Sequence, residues 1–205
     1  MPLKRGRILN EYIDTMTVFQ IAALALMAAF YGVYLTKQLC QRKQGIRTNQ
    51  MGRGDKPSGT LAVERALFVC SLLIVVVELW SVWRGYSFLP VWCRWVGLAL
   101  TAAGVVFFTA AVLQMRDSWR AGISSDERTE LVTGGIYSIS RNPAFVGLDL
   151  TYIGLFLCFA NWPNMTVTAC TIAVFHLQIL QEERYLLSRQ DIDYASYYRR
   201  VRRYF

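Results

Sequence analysis

The chain has 205 residues, 54 % of them hydrophobic, with a mean hydropathy of +0.29 and a formal charge of +8. The length suggests one domain, and the hydropathy is too high for an ordinary soluble protein. No nucleic-acid-binding motif accompanies the charge, so nucleic acid is not an expected partner; the basic residues are expected to face anionic membrane lipids.

The apolar residues come in blocks of roughly 16–23, about the length of a helix that crosses about 30 Å of hydrocarbon. The expected fold is all-α: an integral membrane bundle of about five transmembrane helices, with a C-terminal helical hairpin and a cytoplasmic amphipathic tail helix. Residues 1–16 form a short polar start containing Lys4, Arg5 and Arg7, offset by Glu11 and Asp14. The first span covers 17–39, with Tyr31 and Tyr34 towards its end, where interfacial aromatics belong. No small-residue cleavage site follows this long block, so a cleaved signal peptide is not expected. The stretch 41–60 is rich in glycine and basic residues and reads as a surface loop. Its Gly-Arg-Gly-Asp-Lys-Pro run loosely resembles a phosphate cradle, but the spacing is incomplete and no strand precedes it.

The second span covers 61–83 and carries Glu78 near its exit, where Arg84 or Arg94 could pair with it. The third covers 91–115, opening on Trp92 and Trp95 as interfacial anchors, with Gly97 and Gly104 able to permit close helix approach. A polar segment follows over 116–143. The fourth and fifth spans, 144–160 and 165–180, are joined by Asn161-Trp162-Pro163-Asn164, a tight turn, and read as an antiparallel hairpin. The tail, 181–205, reads as an amphipathic helix on or under the membrane. Five spans place sixteen Lys and Arg on one side against five on the other. The N-terminus is therefore expected outside and the C-terminus in the cytoplasm, in a prokaryotic inner membrane.

The five cysteines form no CxxC pair and His176 is the single histidine, so neither a disulfide framework nor a metal site is indicated.

The hairpin should bring Arg141, Asn142 and Pro143 close to Glu182 and Glu183, with His176 on the Glu183 face about two turns deeper. Gly134 and Gly135 let backbone approach a ligand, Tyr137 offers a ring, the carboxylates suit hydroxyls or an ammonium, and Arg141 suits a carboxylate. S-adenosylmethionine would use all of these. The plainer reading is that Glu182, Glu183 and Arg141 tie helix ends together by ion pairs, and that His176 is a buried, satisfied residue.

The run from Leu131 to Gly147 resembles the signature of the isoprenylcysteine carboxyl methyltransferase family and its phospholipid-methyltransferase relatives. The matching residues are Leu131, Val132, Gly135, Tyr137, Arg141, Asn142, Pro143, Phe145 and Gly147. A second motif of that family matches Glu182, Glu183, Leu186, Tyr194, Tyr197, Arg200 and Val201, and Trp119 also fits. The resemblance covers about residues 112–205. It implies a single membrane methyltransferase domain that takes S-adenosylmethionine from the cytosol and a lipophilic acceptor from the bilayer, a carboxylate of an isoprenoid or prenylcysteine-like molecule. It implies cofactor binding by Val132, Gly135, Tyr137, Arg141, Asn142, Pro143, Gly147, His176, Glu182 and Glu183. Arg200, Glu183 and Arg141 become the catalytic candidates, and Trp119, Tyr197 and Arg200 the acceptor contacts, with Arg200 orienting a carboxylate. Asn142 stands where many members have histidine. A phospholipid amine methyltransferase, a nicotinamide-dependent membrane reductase and a non-enzymatic scaffold are the competing expectations; no obligate protein partner is evident.

Overall fold

The structure, a computed structural model, describes residues 3–45, 51, 56–119, 131–189 and 192–205, with side chains from Val18 onward. The described residues are helical with no strand: α1 is Leu3–Lys43, α2 Ser58–Arg84, α3 Val91–Met115, α4 Pro143–Cys158, α5 Trp162–Ser188 and α6 Tyr194–Arg200. Local chemistry sets the boundaries. Pro57 and Pro90 precede α2 and α3, and Pro143 opens α4. Proline there lacks a donor that a first turn would leave unmatched anyway. Gly85 ends α2 at φ +64, and its N–H closes onto the carbonyls of Ser81 and Val82, both at 3.1 Å. The Asn161 side chain caps α5 by accepting from the Asn164 N–H at 3.0 Å.

Four helical stretches are long and apolar enough to cross a membrane: Val18–Lys43, Ser58–Arg84, Val91–Ser118 and Trp162–Ser188. Their outward faces carry exposed Leu, Val, Ile and Trp, including Trp92 and Trp95. In a bilayer such faces meet lipid. This is an integral membrane helical bundle.

Four expectations need correction. The fourth span, expected over 144–160, is the 16-residue α4, which rises about 24 Å and falls short of about 30 Å of hydrocarbon. It ends early because Ala160 and Asn161 are built into the end of the bundle. The Phe88 N–H donates to the Ala160 carbonyl at 3.0 Å, and Asn161 Nδ2 donates to Ser81 Oγ at 2.9 Å. The fifth span, expected to stop at 180, continues through Glu182 and Glu183 to Ser188, since Gln, Glu, Arg and Leu are good helix formers. The tail is accordingly not one amphipathic helix over 181–205. Its helical part is the seven-residue α6, and Val201 beyond it is extended, at φ −111 and ψ 138. Residues 1–16, expected as a polar lead, are already helical from Leu3.

The expected hairpin is also looser than a packed pair. α4 packs chiefly along α3, and α5 chiefly along α2. Glycines explain the choice. Gly97 and Gly104 on α3 face Gly147 and Gly154 on α4; a methyl added at Gly104 would lie 2.6 Å from the Thr151 nitrogen, and one at Gly147 2.6 Å from the Phe108 nitrogen. Thr101 and Thr151 turn their hydroxyls back onto the carbonyls of Gly97 and Gly147, each at 2.8 Å. With α4 drawn against α3, space remains between α4 and α5, and a chamber fills it.

Tyr31 and Tyr34 do not sit as outward interfacial anchors: both line that chamber. Glu78 pairs with neither expected arginine. Arg84 lies over the Trp80 ring, and Arg94 Nη2 donates to the Gly85 carbonyl at 3.0 Å. Glu78 is 1 % exposed, and neither carboxylate oxygen has a hydrogen-bond partner among the described residues.

Candidate functional site

The chamber has a volume of about 610 Å³ and two unlike ends. One end gathers Arg141, Asn142, Pro143, Glu182 and Glu183, with Val132, Tyr137, Tyr194 and Tyr197 around them. The other is aromatic and apolar: Phe30, Tyr31, Tyr34, Phe108, Tyr152 and Phe175, with Leu67, Leu72 and Val75 of α2. Leu35 on α1 and Phe68 and Leu72 on α2 line it while remaining about half exposed. The chamber is thus flanked by side chains that a bilayer would contact.

The polar end is held by the C-terminal residues folding back onto it. Glu183 is buried and takes two guanidinium groups. Arg141 Nε and Nη2 donate to Glu183 Oε1 at 3.0 and 2.8 Å; Arg203 Nε and Nη2 donate to Oε2 at 3.0 and 2.8 Å. Arg141 Nη1 donates to the Tyr198 carbonyl at 2.8 Å and to the Val201 carbonyl, and the guanidinium lies 4.1 Å from the Tyr198 ring centroid. Asn142 Nδ2 donates to Glu183 Oε1 at 3.2 Å and to the Arg203 carbonyl at 3.3 Å. The Arg141 N–H donates to the Arg202 carbonyl at 3.0 Å, and Ser140 Oγ to the Arg203 carbonyl at 3.1 Å. Tyr197 OH donates to the Tyr137 carbonyl at 2.6 Å. Burial pushes the Tyr197 hydroxyl up to about 12, so it stays a proton donor. Glu183 with its two arginines is therefore a structural clamp, the plainer of the two readings of these residues.

Glu182 differs from its neighbour. It lines the chamber and accepts from Gln178 Nε2 at 2.9 Å. Asn142 serves as a hydrogen-bond donor within the clamp, a role open to a neutral amide and needing no titration.

Of the residues singled out from sequence, Trp119, Val132, Tyr137, Arg141, Asn142, Pro143, Glu182, Glu183 and Tyr197 come together around the chamber. Four do not line it. Gly147 lies in the α3–α4 seam. Gly135, at φ +56, has its backbone against a side chain of the protein itself: a methyl there would lie 2.0 Å from Gln114 Oε1, which accepts the Ile136 N–H at 3.1 Å. His176 Nδ1 shares a 2.6 Å hydrogen bond with Tyr204 OH. Arg200, in the last turn of α6, is exposed. The cation that does reach the polar end from the tail is Arg203, which the sequence reading missed. Val201 itself is extended and buried, and Arg203, two residues on, turns to the same side and reaches Glu183. The apolar wall of Phe30, Phe108, Tyr152 and Phe175 was also missed, because in a membrane helix the lipid face and the chamber face are both apolar.

The fold and the site define the class: an integral membrane helical bundle with one chamber that is polar at one end and aromatic at the other. The comparisons narrow it. Residues 92–190 match the family model described as phospholipid methyltransferase. That segment, just under half of the chain, is thus similar to the phospholipid methyltransferase family, which is also the family of isoprenylcysteine carboxyl methyltransferase-like membrane enzymes. The chain is also 30 % identical over 112 residues to the nickel-cobalt-cadmium resistance protein NccN of Alcaligenes xylosoxydans xylosoxydans; the match covers 54 % of this chain and about half, 52 %, of that protein.

Proposed function

We propose that this protein is a membrane methyltransferase that moves a methyl group from S-adenosylmethionine to a lipophilic acceptor held in the chamber. The observation that carries the reading is one continuous chamber joining Glu182 and Tyr137 at a polar end to an aromatic trough with lipid-exposed flanks. Members of this family generally use S-adenosylmethionine.

The residues present suit that group. Glu182 offers a carboxylate to an ammonium or to ribose hydroxyls, and Tyr137 and Trp119 offer ring surface. When bound, S-adenosylmethionine supplies an electrophilic methyl carbon on a cationic sulfur. The protein's part is alignment and exclusion of water. The clamp of Arg141, Glu183 and Arg203 fixes the end of α5 against the start of α4 and so holds the two walls of the polar end in register. The aromatic trough seats the acceptor tail and desolvates its reacting end. In this reading Arg141 and Glu183 are positioning residues, and Glu182 is the group in direct contact with the ligand.

A carboxylate acceptor of the isoprenoid or prenylcysteine type remains within the proposal and requires a cation turned to the chamber. An amine acceptor, as in phospholipid N-methylation, is the second reading. Among the described residues the arginine lining the chamber is clamped to Glu183, whereas Glu182 presents a carboxylate able to hold an amine or accept its proton. The acceptor enters from the bilayer, and the polar end faces the cytoplasm by the excess of Lys and Arg on that side.

The test is calorimetry on the detergent-solubilised protein. S-adenosylhomocysteine should bind with micromolar affinity and NADPH should not. Binding of NADPH alone would favour a reductase, and binding of neither would overturn both enzyme readings. Incubating the protein with labelled S-adenosylmethionine and a membrane lipid extract should then yield a labelled lipid whose methylated atom decides between carboxylate and amine.

A further inference from the structure

The apolar end of the chamber closes on polar groups. Counted from the polar end, the last lining positions are Val75 on α2, Tyr152 on α4, Phe175 on α5, and Tyr31 with Phe30 on α1. On α2 the lining residues Ser71 and Val75 share a face with Glu78, which comes next along the same stripe. Glu78 is buried, and among the described residues both of its carboxylate oxygens lack a hydrogen-bond partner. The Tyr31 hydroxyl is buried there too, with the Tyr152 hydroxyl beside it. Tyr31 and Tyr152 both line this end of the chamber and both pack edge-on against the Phe30 ring, with centroids at 5.1 and 6.3 Å, and Glu78 follows Val75, the last α2 lining residue, by one turn.

Such a cluster is expensive inside a membrane. A buried polar group without a partner costs free energy that packing alone does not return. A carboxyl group within a span normally pairs or serves a ligand. Arg84 lies over the Trp80 ring, and Arg94 Nη2 donates to the Gly85 carbonyl. The groups lie where the end of an occupant's tail would come to rest, with hydrogen-bonding capacity to spare. Were the acceptor tail pure hydrocarbon, Val, Leu or Phe at these positions would serve it better.

We propose that Glu78, Tyr31 and Tyr152 form a second recognition point, and that the chamber takes a two-ended amphiphile carrying a hydrogen-bond donor, a hydroxyl or an amine, at the end remote from the methylated atom. The assignment rests on the methyltransferase reading for what happens at the near end. The far end follows from the chamber itself. Nine residues of α4 separate Pro143 from Tyr152, a rise of about 14 Å. A straight chain of roughly a dozen carbons spans that distance.

Dodecanol and dodecanediol, the second bearing a hydroxyl at each end, provide the test. The diol is the less hydrophobic of the two, so burial of hydrocarbon favours dodecanol. A preference for the diol can come only from a polar contact at the far end. Each probe is titrated into the full-length protein in nanodiscs, with binding read by native mass spectrometry and thermal stabilisation. The wild type should prefer the diol by at least about tenfold, since a site built to hydrogen-bond a hydroxyl discriminates strongly against its absence. Glu78→Leu with Tyr31→Phe should reverse the preference, and Glu78→Gln, which keeps a hydrogen-bonding group, should retain much of it. Thermal unfolding of each variant shows that it is folded. Equal or tighter binding of dodecanol by the wild type overturns the proposal, as does a diol preference that survives the double variant. Diol preference without methyl transfer would sink the enzymatic reading and leave this site standing. Methyl transfer without diol preference would do the opposite.

Discussion

Arg203 meets Glu183 on the carboxylate oxygen that Arg141 leaves open, with Nη2 to Oε2 at 2.8 Å. One buried carboxylate thereby joins the start of α4, the end of α5 and the last residues of the chain. Removing one member of a buried ionic cluster leaves the others uncompensated, which costs about 3–5 kcal/mol. Glu183→Gln leaves two guanidiniums facing a neutral amide and should destabilise the protein by that amount. Arg203→Ala removes a partner that is 29 % exposed, so its loss should cost less, about 1–3 kcal/mol. Unfolding in detergent measures both. If Glu183→Gln were as stable as wild type, the clamp would not be what holds the tail.

The α3–α4 seam gives a contrast between two glycines from the same stretch of chain. Gly147→Ala places a methyl 2.6 Å from the Phe108 nitrogen, a backbone atom that cannot swing aside. The helices must separate, and overpacking of this kind costs about 1–3 kcal/mol. At Gly134 the nearest atom to an added methyl is Gln114 Nε2 at 3.8 Å, and the residue sits at φ −91. Gly134→Ala should leave stability within about 0.5 kcal/mol of wild type. Equal effects at the two sites would argue against the seam as the reason α4 packs on α3.

These residues also show what the sequence makes legible. Gly97 and Gly104 lie seven apart on one face of α3, so a close helix approach could be read from their spacing. Gly147 and Gly154 repeat that spacing, yet Gly147 falls inside a motif associated with ligand binding, and the motif overrode the period. Joining Arg141 to Glu183 needed only the short Asn161–Asn164 turn, which brings the ends of α4 and α5 to the same side. Arg200 was given the inward place that Arg203 takes, because the tail read as one helix. In an extended strand the inward positions alternate, and they change by one residue wherever the helix stops. Glu78 could be seen as costly from its apolar surroundings. Its lack of a partner depends on how helices rotate about their axes, which an all-round apolar pattern leaves undetermined.

The Tyr197 hydroxyl supplies a pH signature. It lies outside the spans, is buried, and donates to the Tyr137 carbonyl at 2.6 Å. Burial raises it from 10.0 to about 12 in the folded protein. A raised value means the folded state resists losing the proton. The stabilising contribution is whole below the unfolded value and is lost as pH rises through the folded one. Tail anchoring should therefore hold to about pH 10 and weaken between about 10 and 12. Tyr197→Phe leaves the Tyr137 carbonyl unmatched, costing about 1–3 kcal/mol at neutral pH, and should flatten that alkaline loss. Unfolding of both forms across pH 8–12 checks this; an unchanged alkaline slope in Tyr197→Phe would assign the loss to another tyrosine.

Arg200 and Glu182 separate motif from geometry. Resemblance alone gives Arg200 the acceptor carboxylate, so that Arg200→Ala should abolish turnover. The structure places Arg200 exposed on the last turn of α6 and Glu182 on the chamber wall. A surface substitution away from packed features changes stability by less than about 0.5 kcal/mol, and Arg200→Ala should accordingly keep both S-adenosylhomocysteine binding and methyl transfer close to wild type. Glu182→Gln keeps the hydrogen bond with Gln178 within reach but removes the charge, and a charge-assisted contact to a cationic ligand is worth about 1.5–3 kcal/mol. Affinity for S-adenosylhomocysteine should fall by roughly ten- to a hundredfold, with little change in unfolding. Loss of transfer in Arg200→Ala with binding intact would mean that α6 turns Arg200 into the chamber when the acceptor arrives, and would restore the carboxylate acceptor over the amine.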